Sequence, residues 1–124
     1  MSESDIPPLI REQLARYEQI QQNLQAVLIQ KQQVEMELGE TQKALDELGK
    51  APDTEAIYKF AGNLLIKVKK EDVVKELDEK KELANTRKLV LGKQETRFRE
   101  SLKDLQTKID EAVKGKTPQG QSED

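Results

Sequence analysis

Few side chains in this sequence could make or break bonds. There is no Cys, His or Trp, which removes thiolate nucleophiles, imidazole bases and the usual zinc ligands, and leaves carboxylates and lysines, with hydroxyls that have no imidazole to activate them, as the candidates. The 24 Asp and Glu are interleaved with the 21 Lys and Arg, and no carboxylate cluster has metal-binding or acid–base spacing. The six glycines stand apart and form no phosphate-cradling loop. No enzyme, metal or cofactor is expected. A net charge of −3 with mixed signs supplies no field to gather nucleic acid. What remains is contact chemistry, carried by apolar side chains with nothing in the chain to bury against.

The densest such cluster is AIYKFAGNLLIKV, residues 56–68, with Gly62-Asn63 at its centre. It predicts a β-hairpin. Tyr58 and Phe60 alternate on one face of the first strand and Leu64, Ile66 and Val68 on one face of the second, which predicts a single apolar face. A lone two-stranded hairpin is marginal in water and leaves unpaired edges. Pooling hairpins from several chains into a shared sheet or closed barrel removes those edges. The alternative is a connector folded back over the root of the neighbouring helices. A second cluster lies near the chain ends, where Ile6, Leu9 and Leu14 sit beside Ile10, and Val113 beside Ile109. Exposed apolar side chains there suit capture of apolar segments of another protein, unless they only close the last helical turns.

Two long helical stretches must position these clusters. Of the 124 residues, 36% are charged, 35% hydrophobic and 3% aromatic, against about 45–50% apolar for an ordinary globular domain. An elongated or assembled molecule fits better than a thick core. Pro7 and Pro8 suit a first helical turn, and nothing breaks the pattern until Leu48-Gly49 and Pro52. A second helix is expected from Glu71 and Asp72 to Lys114-Gly115, before Pro118. The expected organisation is one domain over 1–124: a helix over 7–48, the hairpin over 56–68, a helix over 70–114 and a disordered tail over 116–124.

Both helices carry uninterrupted heptads. In the first, Ile10, Tyr17, Leu24, Lys31, Leu38 and Leu45 take a positions and Gln13, Ile20, Val27, Val34, Thr41 and Leu48 take d. In the second, Val74, Lys81, Lys88, Glu95, Leu102 and Ile109 take a and Leu77, Ala84, Leu91, Phe98, Leu105 and Ala112 take d. Placing Leu48 opposite Val74 makes facing residue numbers add to 122, and every layer then pairs an a with a d residue. That is an antiparallel pair without a stutter, with pairing to another chain as the alternative. Lys31, Lys81, Lys88 and Glu95 soften the middle of the seam, where Lys31 and Glu95 are one layer apart. Gly39 and Gly92 each cost about 1 kcal/mol of helix propensity relative to Ala, either as flexible points or as tolerated surface residues.

No apolar run approaches the roughly 20 residues needed to cross a bilayer, and the start lacks a basic stretch followed by an apolar run. A cytoplasmic location without membrane partners is expected, and the absence of cysteine agrees with a reducing compartment.

VEMELGETQKALDELGK, residues 34–50, and YKFAGNLLIKV, residues 58–68, resemble the prefoldin family in its archaeal β-subunit type, and the helix–hairpin–helix layout carries the resemblance over almost the whole chain. A single central hairpin is the β-type mark. The resemblance implies a mainly α fold, a long antiparallel two-helix coiled coil whose one central β-hairpin joins an intersubunit β-barrel. It also implies a heterohexamer with the prefoldin α subunit, two α and four β, that captures unfolded client proteins at coiled-coil tips without ATP and delivers them to a group II chaperonin. Carried over by position, subunit assembly would fall on Tyr58, Phe60, Leu64, Ile66 and Val68. Client binding would fall on Ile6, Leu9, Ile10, Leu14, Leu105, Ile109 and Val113. A passive coiled-coil tether or scaffold docking one defined partner is the rival reading.

Overall fold

The computed structural model describes residues 6–116, in the order α1 (Pro8–Lys50), β1 (Ile57–Ala61), β2 (Leu64–Val68) and α2 (Lys70–Lys116). Of the expected tail, residues 117–124 lie outside the described residues. Among the described residues no helix is long and apolar enough to cross a membrane.

Each helix starts and stops for local reasons. Pro8 opens α1, where its missing N–H costs no intrahelical bond, and Arg11 donates its N–H to the Pro7 carbonyl at 3.0 Å. Gly49 falls inside the last turn, and Ala51 closes the helix by donating to the carbonyls of Glu47 and Leu48 at 3.2 and 3.3 Å. Glu71 and Asp72 occupy the first turn of α2, where carboxylates complement the partial positive charge of exposed N–H groups. Thr86, Thr96 and Thr107 each donate a hydroxyl to the carbonyl four residues back, so these β-branched residues are satisfied inside the helix.

The described residues divide into two compact units, one of residues 6–29 with 91–116 and one of residues 30–90. In the first, Ile10, Leu24 and Val27 from α1 and Leu91, Leu105 and Ile109 from α2 are buried. Asn23, Ala26 and Val27 share a groove with Gln94, Arg97 and Phe98, so these stretches of α1 and α2 lie side by side. Glu95 is half-buried at its seam position, and its carboxylate accepts the Nε–H of Arg99 at 2.9 Å. In the second unit Val34 is fully buried at 0% exposure, with Thr41 and Ala84 also in the core. Glu35 pairs with Lys88 and Glu37 with Arg87, both at 3.7 Å. The numbers of these pairs add to 123 and 124, on the flanks of a seam whose facing residues add to 122. The Lys88 pair shows how a seam lysine is tolerated: its stem covers the seam while its ammonium reaches a flanking carboxylate. Every predicted a and d position in either unit is buried or half-buried.

Candidate functional site

The hairpin belongs to the second unit. Its two-residue turn, Gly62-Asn63, has one positive φ, 62° at Gly62, and no non-glycine residue with positive φ. A lone positive φ at the first central position is the mark of a type II′ turn, whose twist suits antiparallel strands. The register is Ile57↔Val68, Tyr58↔Lys67, Lys59↔Ile66, Phe60↔Leu65 and Ala61↔Leu64.

This register corrects the expectation of one apolar face. Directly paired residues point to the same side of a sheet, so Tyr58 and Phe60 share a face with Leu65 and Lys67, opposite to Leu64, Ile66 and Val68. Counting across a two-residue turn changes odd to even, so the even-numbered residues of β1 cannot join the even-numbered residues of β2. The hairpin is therefore apolar on both faces. Phe60, Leu65 and Tyr58 are 79%, 59% and 54% exposed on one, and Leu64 and Ile66 are exposed on the other, with Ile57 and Val68 half-buried. Leu65 is the residue that alternation along single strands misses. The signal that finds it is the length of the turn.

One lysine attaches the hairpin to α2, and another ties the start of α2 to the segment that follows α1. Lys59 Nζ donates to both carboxylate oxygens of Glu76 at 2.9 and 3.1 Å. Lys70 Nζ donates to the carbonyl of Ala51 at 2.7 Å and lies 3.4 Å from Asp53 Oδ1. The latter puts a cation at the C-terminal end of α1, where the last carbonyls lack intrahelical partners.

In the first unit, Leu9, Leu14 and Val113 are exposed, while Ile10, Leu105 and Ile109 are buried between the two helical segments. Ile6 is half-buried. Arg11 Nη2 donates to the Ile6 carbonyl at 3.1 Å, and Ile6 and Leu14 line one open groove with Pro8 and Ala15. That groove does not include Leu9 or Val113. Beside these residues Gln13 buries its Oε1 without a hydrogen-bond partner.

Among the described residues no three Asp or Glu are grouped to bind a metal. The surfaces are built for contact. The family model for prefoldin subunits matches residues 11–116. The chain belongs to the prefoldin family. A prefoldin subunit beta of Archaeoglobus fulgidus is 46% identical over 105 residues, covering 85% of this chain and 90% of that protein. A prefoldin subunit beta of Saccharolobus islandicus is 42% identical over 115 residues, covering 93% and 91%. The crystal structure of the prefoldin beta subunit from Thermococcus strain KS-1 is 42% identical, with a TM-score of 0.82 over 91% of this chain and 97% of that one. Two long helices with one antiparallel hairpin between them are thus the prefoldin β architecture. Membership of the prefoldin family implies a chaperone-type function and assembly with other prefoldin subunits.

Proposed function

We propose that this chain is a subunit of an ATP-independent holdase, assembled through its hairpin and active through the exposed apolar residues of its paired helix ends. The observation that carries the reading is the hairpin itself, a two-stranded sheet with apolar side chains exposed on both faces and, among the described residues, both edges unpaired. A sheet of this size is not independently stable and its edges are open to pairing. Hairpins of sister subunits joined into a closed barrel satisfy the edges and cover one face. By its resemblance to the family, the assembly is a hexamer of two α and four β subunits in the cytoplasm, handing clients to a group II chaperonin.

Capture follows from multiplicity. A single contact by Leu9, Leu14 or Val113 with an unfolded segment is weak, but several arms in one assembly raise the local concentration of the next contact once the first has formed. No nucleotide is required, because a chaperonin competing for the same apolar segments releases the client.

Mixing the chain with a prefoldin α subunit and weighing the product by native mass spectrometry tests the assembly. The product is then assayed against several unrelated denatured proteins without nucleotide. An α2β4 mass with protection of all of them is expected; a monomer, or an assembly that protects none, overturns the reading, the latter in favour of a tether.

A further inference from the structure

We propose that the Lys59–Glu76 pair is a positioning device, holding the hairpin at one orientation against α2 so that its edges and its Phe60 face meet neighbouring subunits ready to pair. The inference rests on the reading that assembly runs through the hairpin.

Lys59 is the only charged residue of β1 and interrupts an otherwise apolar strand. It lies on the face shared with Ile66, opposite to Tyr58, Phe60 and Leu65, and reaches both oxygens of a carboxylate 17 residues away, in the second turn of α2. Only Lys69 separates the end of β2 from the start of α2. A sheet joined to a helix by one residue can swing about that residue's φ and ψ unless a second point is tied. The Lys59–Glu76 contact is such a point, and Lys70, bonded to Ala51, ties the segment that enters the hairpin from the other side. Exposed ion pairs add little to global stability, and Lys59 and Glu76 are both substantially exposed. The consequence of the pair is therefore orientation. A hairpin already in its binding orientation loses less freedom on assembly than a swinging one.

The absence of cysteine lets two spin labels be introduced without background, at Asn63→Cys in the turn and Glu79→Cys on α2. Double electron–electron resonance on the isolated chain is expected to give a narrow distance distribution that broadens in Lys59→Met and in Glu76→Gln. The exchanged pair, Lys59→Glu with Glu76→Lys, is expected to narrow it again. Assembly with the prefoldin α subunit should weaken about three- to tenfold in each single variant, the loss expected when the competent orientation falls to between roughly a third and a tenth of the population. The exchanged pair should recover it, and the difference between wild type and single variants should shrink in high salt. Equal distributions in wild type and single variants, or an exchanged pair as broad as either, overturn the proposal. If the wild-type chain does not assemble, the hairpin-assembly reading fails, while the distance distributions still decide whether the pair sets the orientation.

Discussion

Phe60 and Leu65 stand directly opposite each other across the hairpin, on the face that Lys59 does not share, and both are exposed. Cross-strand neighbours on an exposed face form one continuous contact patch. Most of that patch lies outside the chain's own core.

Phe60→Ser is therefore expected to leave the helical circular dichroism and the urea midpoint of the isolated chain unchanged. Burying a Phe side chain contributes about 1.5–3 kcal/mol, so assembly should weaken by roughly ten- to a hundredfold per hairpin. Sedimentation velocity across a concentration series reads this directly. A midpoint that drops together with assembly would place Phe60 in the chain's own core instead.

The apolar residues of the helix ends should separate into two behaviours. Leu9→Ser, Leu14→Ser and Val113→Ser combined change exposed side chains, so the assembly should remain intact while suppression of client aggregation falls. Ile109→Ser changes a buried one and should lower stability by about 2–4 kcal/mol, through lost burial and a buried hydroxyl. Light scattering of a denatured client, alongside urea unfolding, distinguishes them. Full suppression by the triple variant would remove these residues from client capture.

Gln13 buries an acceptor that no donor satisfies. Leaving such a group unpaired costs about 1–3 kcal/mol, so Gln13→Leu should stabilise the chain by roughly that amount, with an unchanged urea m-value. Hydrogen exchange should slow most in the flanking turns of α1. Destabilisation on substitution would show that Oε1 is hydrogen-bonded in solution.

Two glycines should respond to alanine with opposite signs. Gly62 sits at a φ of 62°, a conformation that costs an L-residue about 1–2 kcal/mol, so Gly62→Ala should destabilise the hairpin. At Gly39, inside α1, an added Cβ meets nothing within 4 Å, so Gly39→Ala should stabilise by about 0.5–1 kcal/mol through helix propensity. Thermal unfolding of both variants checks the pair of signs.

The helices and their seam were legible from residue spacing because a 3.5-residue apolar repeat has few ways to bury itself, and prolines and glycines mark where it stops. The burial of Val34, Thr41 and Ala84 follows that repeat, as does the half-buried placement of Lys88 with its ammonium turned out to Glu35. The existence of the hairpin was legible for the same kind of reason, a switch to alternating β-branched and aromatic residues around Gly-Asn. The division of the candidate surfaces was less so. Ile10, Leu105 and Ile109 share a neighbourhood with Leu9, Leu14 and Val113 along the chain, yet only the latter three are exposed.

By itself, then, the sequence determined what is periodic and local: two helices with one heptad register each, the strands between them, and a residue inventory without thiol or imidazole. Only the tertiary structure settled that the turn has two residues, from which the sharing of faces between β1 and β2 follows, and that Lys59 reaches Glu76 and Lys70 reaches Ala51. The physical reason is that a period constrains side chains along one element. Relations between elements depend on turn geometry and on contacts across many residues, for which no repeat in the chain is a guide.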